Sequence, residues 1–128
     1  AQIILGALLS GLDAGLITHN FPDINGQFYP TQASLDLSNP YFVHFIHRWL
    51  PIIIMIVGFF IYNRIKLDLT SSQKGLFLIL LFIFIVQIIL GVMTVITSVN
   101  ILMAIMHQIN ALIMLTIALI ISFSFSSK

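Results

Sequence analysis

The chain has 128 residues, 59% of them hydrophobic, with only five basic and four acidic side chains. A soluble domain carries about 25% charged residues, and a globule of this size has too much surface to hide so much Ile, Leu and Phe from water. The composition excludes a soluble enzyme. A net charge of +1 with no Lys/Arg run excludes a nucleic-acid binder, and zero cysteines exclude disulfides, thiolate catalysis and Cys-ligated metal centres.

What remains is an integral membrane protein. Crossing ~30 Å of hydrocarbon takes roughly 20 apolar residues. Residues 1–17 are apolar but short, and they lack an initiator Met and a basic leader region. They read as the later part of a spanning helix whose beginning is missing, not as a targeting segment. Residues 18–40 hold three prolines (Pro22, Pro30, Pro40), Gly26 and several Asn, Asp and Ser, which is loop chemistry. Three full spans follow at 41–63, 74–97 and 101–124, joined by a short polar connection at 64–73 and a tight turn at 98–100. Their continuous Leu/Ile-rich runs favour helices over the alternating strands of a barrel. The expected architecture is an all-α integral membrane protein: a four-helix transmembrane bundle in one domain, 1–128, with its first helix truncated.

Charge placement sets an expected topology. Arg64, Lys66 and Lys74 flank the 64–73 connection and Lys128 ends the chain on the same side, whereas 18–40 carries Asp23 and Asp36 and no cation. By the positive-inside rule, 64–73 and the C-terminus face the cytoplasm or matrix and 18–40 lies outside.

An internal repeat runs through these spans. Gln2-Ile3-Ile4-Leu5-Gly6 recurs unchanged as Gln87-Ile88-Ile89-Leu90-Gly91, and Ile46-His47 corresponds to Met106-His107. Each unit is a helix bearing Gln and Gly, an outer connection, then a helix with His near its start. Such a repeat is parallel in topology. With Asn39 and Asn100 as N-caps and Pro40 at the first helical position, His47 and His107 both lie roughly 10–12 Å inside their helices.

An ionisable side chain within a span is costly and usually functional. A single intramembrane His is commonly satisfied by a helix–helix hydrogen bond. Two imidazoles at one depth on different helices instead suit axial ligation of haem iron, which makes His47 and His107 the expected metal ligands of a bis-His haem b. Arg48 has three readings: a bidentate partner for a haem propionate, a snorkelling cation, or a partner for a loop carboxylate such as Asp23. His44 shares a helical face with His47 and has two readings: a chelating ligand with His47 and His107, or a residue at the lipid or loop boundary. His19 reads as a solvated loop residue. Pro51 removes the backbone donor that would bond the His47 carbonyl. Gln87 requires a partner on a neighbouring helix. Asn110 shares a face with His107 and is placed to bond its second ring nitrogen or a cofactor edge. Gly6, Gly11 and Gly15, with the Gly11-x-x-x-Gly15 spacing, have two readings, close helix approach or room for a macrocycle, and Met103, Met106 and Met114 read as packing.

The run Leu5-Gly6-Ala7-Leu8-Leu9-Ser10-Gly11-Leu12-Asp13-Ala14-Gly15-Leu16, then Asn20-Phe21-Pro22, Gly26-Gln27-Phe28-Tyr29-Pro30, Phe45-Ile46-His47-Arg48-Trp49 and His107-Gln108 with Ala111, resembles the haem A synthase family. The resemblance covers essentially the whole chain but only the C-terminal half of that family's proteins. It implies eight spanning helices in two pseudo-symmetric halves and oxidation of a haem O methyl group to the formyl group of haem A. It also implies that the C-terminal half holds an electron-carrying haem b between ligands matching His47 and His107. The family's substrate-binding half carries a Glu three residues before a His-Arg pair; here that position is His44, so no catalytic residue is assigned within this chain. Thr18-His19-Asn20 departs from the family's loop pattern.

The expected function is thus the haem-b-binding half of a haem A synthase-like oxidoreductase, incomplete as a catalyst alone. Its expected partners are membrane lipid, the missing N-terminal substrate-binding half or a second copy of the chain, and haem O as pathway substrate. Its expected location is a bacterial plasma membrane or the mitochondrial inner membrane. The alternatives are a stand-alone b-type membrane cytochrome and a structural assembly subunit without haem.

Overall fold

Helix boundaries in the computed structural model, which describes residues 1–126, follow from local side-chain chemistry. The first helix, α1 (Gln2–Gly11), ends well before Ile17. Asp13 adopts left-handed backbone (φ +51°), and only a single 3-10 turn, Ala14–Leu16, follows it. A left-handed residue cannot continue a right-handed helix, and Asp tolerates that conformation better than most residues. The expected helix over 1–17 is therefore corrected to a shorter helix and a turn.

The other starts are capped. The Asn39 side chain accepts from Phe42 N at 3.0 Å, with Pro40 next, and opens α2 (Pro40–Ile65). Thr70 and Gln73 form a reciprocal capping box that opens α3 (Ser71–Ile96), earlier than the apolar run alone indicates. The Asn100 side chain accepts from Leu102 N at 3.0 Å at the start of α4 (Ile101–Ser126). Lys128 lies outside the described residues.

The fold is an all-α bundle built as two helix pairs, α1 with α2 and α3 with α4, which touch only sparsely between α2 and α3. The three long helices are long and apolar enough to cross a membrane, and at most 6% of each apolar window is buried within the protein. Helices that are hydrophobic all round and bury so little of themselves face lipid. Large side chains such as Ile53, Phe60, Phe82 and Phe123 point outward accordingly. The few buried side chains gather at the two ends. Ala14, Ile24 and Val43 lie at the end carrying the long loop, and Leu69, Gln73 and Ile121 at the opposite end. There Gln73 Nε2 donates to the Ser124 carbonyl at 3.2 Å and ties the start of α3 to the end of α4.

The long loop is ordered by its own turns. Ile24 and Gln27 exchange backbone hydrogen bonds of 2.8 and 3.1 Å around Asn25 and Gly26, both left-handed (φ +52° and +82°). This is the two-residue turn that Asn-Gly favours. The Phe21–Pro22 peptide is cis. Phe28 packs on Trp49 (ring centroids 4.7 Å apart) and Tyr29 on Phe45 (5.0 Å), which docks the loop onto the first turns of α2. The tight α3–α4 turn places Ser98 and Val99 at φ +55° and +59°, held by Val99 N donating to the Thr94 carbonyl at 2.8 Å.

Positive φ without steric crowding makes a clean test of these turns. A Cβ on Gly26 meets nothing within 4 Å, so only the backbone resists it. Gly26→Ala is expected to cost about 1 kcal/mol, and Ser98→Gly to gain a similar amount. Thermal unfolding in detergent measures both; equal melting temperatures for all three proteins would refute the turn assignment.

Candidate functional site

Because α2 and α4 both start at the loop end, His47, the eighth residue of α2, and His107, the seventh of α4, reach one level of the bundle. Their ring centroids lie 6.4 Å apart with planes inclined at 71°. Both line a cavity of about 1400 Å³ between the helix pairs, together with His44, Arg48, Gln87 and Pro51. The volume exceeds the roughly 300–1,000 Å³ of ordinary ligand pockets, and most of the lining is apolar.

Each ring is held by the helix that precedes it. Gln2 of α1 places its amide nitrogen 3.1 Å from His47 Nδ1 and donates to the His47 carbonyl at 2.8 Å. That carbonyl has lost its helical donor to Pro51, so Gln2 replaces the missing bond. Gln87 of α3 places its amide nitrogen 3.3 Å from His107 Nε2, and its oxygen accepts from Asn110 Nδ2 at 2.7 Å. Asn110 also donates to the Ile83 carbonyl at 3.1 Å. It thus reaches Gln87 and not the second ring nitrogen of His107; Nδ1 of His107 is buried without a partner.

Arg48 is 9% exposed and reaches under the loop, where Nη1 donates to the carbonyls of Asn20 (2.9 Å) and Asp23 (2.8 Å). Its loop partners are backbone oxygens, while the Asp23 carboxylate accepts from Gly26 N in the turn. Phe21 lies 5.9 Å from the guanidinium carbon. Arg48 Nε and Nη2 are buried and unpartnered. A charge this well anchored on one side and unsatisfied on the other calls for an acceptor from the cavity.

His44 does not sit at the lipid or loop boundary. It is 1% exposed, lines the cavity, and neither ring nitrogen has a partner. The bend at Asp13 is what covers it, since the turn at Ala14 folds across the start of α2. Among the described residues no group of three or more His, Asp or Glu side chains converges, so the three-histidine chelate does not form. His19 is exposed in the loop. Gly11 meets nothing within 4 Å and is not a close-approach point, whereas a Cβ on Gly15 would lie 3.1 Å from Val99. Gln2 was not singled out as a site residue, although its equivalence to Gln87 in the repeat carried the signal.

Fold and site together define a multi-pass all-α membrane protein whose paired helix hairpins each bring one histidine to a shared internal cavity. The family described as cytochrome oxidase assembly protein, COX15-CtaA, matches residues 1–119, and the chain belongs to that family. Among curated relatives, the heme A synthase of Pelagibacter ubique is 38% identical over 125 residues, covering 90% of this chain and 36% of the relative. The heme A synthase of Rickettsia africae is 36% identical, covering 91% of this chain and 36% of the relative. That of Orientia tsutsugamushi is 35% identical, covering 94% and 35% respectively. The chain thus spans little more than a third of the length of these relatives. No solved structure is significantly similar to it.

The Arg48 anchor has a measurable consequence. Hydrogen bonds to a charged group contribute about 1.5–3 kcal/mol each. Arg48→Ala is therefore expected to lower stability by about 2 kcal/mol or more and to open residues 18–39 to protease. Arg64→Ala, on an exposed side chain, is expected to do neither. Equal cleavage rates in the two variants would show that Arg48 does not pin the loop.

Proposed function

We propose that this chain is the haem-b-binding part of a heme A synthase-type membrane oxidoreductase that converts haem O to haem A, with His47 and His107 as the axial ligands. The name these relatives carry, heme A synthase, supports the activity. The observation that carries the haem reading is the pair of facing imidazoles. Two metal–nitrogen bonds of about 2 Å, with half an imidazole ring at each end, put ring centroids roughly 6 Å apart; the rings stand at 6.4 Å. The cavity around them has room for a large planar ligand, and its apolar walls match a macrocycle's faces. Bound haem supplies reversible one-electron storage.

The chain's own residues do the rest. His47 and His107 approach from opposite helix pairs, so binding would join two hairpins that otherwise touch little. Arg48, with Nε and Nη2 unpartnered, is the natural donor to a carboxylate on the ligand's edge. The largely apolar lining would lower the polarity around a bound iron, which suits electron transfer. The position three residues before His47 holds an imidazole and not a carboxylate. This fits an electron-carrying role, with the substrate haem handled by another four-helix unit or a second copy of the chain. The cations Arg64, Lys66 and Lys74 flanking the α2–α3 connection support a topology with that end on the inner side of a bacterial plasma or mitochondrial inner membrane and the 18–39 loop outside.

The test is optical. After reconstitution with haem b, the reduced-minus-oxidised spectrum of the full chain is expected to show a low-spin b-type signal that is lost in His47→Ala and, separately, in His107→Ala. A signal that survives either substitution, or none in the unsubstituted protein, refutes the assignment. Spectra unaffected by haem together with mild effects of His→Gln would instead favour the structural-subunit reading.

A further inference from the structure

Gln2-x-x-x-Gly6 and Gln87-x-x-x-Gly91 stand at equivalent places on α1 and α3, and each confronts the imidazole of the helix that follows. Residues four apart share one face of a helix, so the amide and the bare glycine backbone flank a single ring. A Cβ on Gly6 would lie 3.3 Å from His47 Cε1, and one on Gly91 would lie 3.0 Å from His107 Cε1. At both places a methyl group would crowd the ring by a few tenths of an ångström. Gly11, Gly58 and Gly75, by contrast, have nothing within 4 Å of an added Cβ.

We propose that the two Gln-x-x-x-Gly pairs are imidazole-docking units that position His47 and His107 and decide which ring nitrogen holds the proton, a role that rests on the haem reading for its purpose. An amide nitrogen only donates. With Gln2 Nε2 against Nδ1 and the His47 carbonyl, Nδ1 accepts and the His47 proton resides on Nε2. Gln87 is fixed as a donor because its oxygen is taken by Asn110. Its amide meets His107 Nε2, so the His107 proton resides on Nδ1. The two rings therefore hold opposite tautomers in the cofactor-free chain.

The two glutamines then differ in what they do for a metal ligand. Ligation through Nε2 of His47 requires the proton on Nδ1 and an acceptor facing it. Gln2 carries one in reserve, since its Oε1 is buried with no partner. Turning the amide about its last bond presents that oxygen to Nδ1–H and gives up the 2.8 Å bond from Nε2 to the His47 carbonyl, so one hydrogen bond is exchanged for another. Such a bond orients the ring and raises its basicity as a ligand. Gln87, in contrast, occupies the His107 lone pair that a metal would take, and so competes with it. Gln2 is a positioning residue for ligation and Gln87 a guard of the empty site.

Two measurements on the full chain test this. Before haem is added, nitrogen NMR of the histidine-labelled protein is expected to show one ring protonated on Nε2 and the other on Nδ1. Gln2→Leu should shift the tautomer balance of His47 alone. After haem b is added, Gly6→Ala and Gly91→Ala are each expected to lose about 10–100-fold in haem affinity, while Gly75→Ala matches the unsubstituted chain. Gln2→Leu should raise the haem midpoint potential, and Gln87→Leu should slow haem loss to a scavenger. Like tautomers in both rings, or glycine variants that bind haem as tightly as Gly75→Ala, overturn the docking units while leaving a haem-bearing site in place. An unsubstituted chain that binds no haem overturns the haem reading, and the NMR experiment still judges the tautomer assignment.

Discussion

Apolar helices in a bilayer gain nothing from hiding from water, because the lipid chains around them are as apolar as the side chains they carry. Here α2, α3 and α4 are hydrophobic all round and leave nearly all of that surface outward. Polar contacts, close packing at the two ends and a cavity between the helix pairs must therefore specify the arrangement. The contacts that do so are few: Gln2 with His47, Gln87 with His107 and Asn110, and Gln73 with Ser124. Each joins neighbouring helices within one pair. None joins the two pairs, whose direct contact is sparse and lies between α2 and α3, where Tyr62 and Phe77 pack with ring centroids 5.8 Å apart, and at the His47–His107 pair. A ligand spanning those rings would provide the cross-link the polypeptide lacks.

The same economy shapes the loop end. The 18–39 segment is rich in backbone groups that a buried setting would leave unsatisfied. Much of that demand is met by its own turn at Ile24–Gln27 and by the Asp23 and Gln27 side chains. Two remaining carbonyls go to Arg48. Arg48 thereby couples the loop's position to the cavity wall, since the same guanidinium turns two unpartnered nitrogens inward. Proline and glycine act locally in support. Pro51 frees the carbonyl that Gln2 captures, and Gly6 and Gly91 give the two rings a surface to lie on.

Several of these relations were readable beforehand because they are periodic or local. The repeat of Gln, Gly and His at matching offsets reports that two hairpins are built alike. The caps at Asn39 and Asn100 depend on side chains two or three residues from the bonds they make. The misreadings arose where distant segments meet. The helix over 1–17 was misjudged because apolar character continues past Gly11, while the left-handed backbone at Asp13 leaves no hydropathy signature. The burial of His44 is not legible in the sequence, because its place near the helix start says nothing of the turn at Ala14 that folds over it. Asn110 shares a face with His107, but sharing a face does not choose between a ring nitrogen and the amide of Gln87 across the interface.

By itself the sequence determined the membrane class, the number and extent of the long spans, the two-hairpin repeat and the common depth of His47 and His107. Hydropathy, chain length and helical rise are additive along the chain, so they can be read without knowing its neighbours. Only the tertiary structure decided that the two rings face each other across a cavity, that Gln2 and Gln87 address different ring nitrogens, and that Arg48 and His44 are buried there. A helix that is apolar on every side carries no periodic mark of which face looks inward. That choice is made by the few polar groups whose partners lie on other helices.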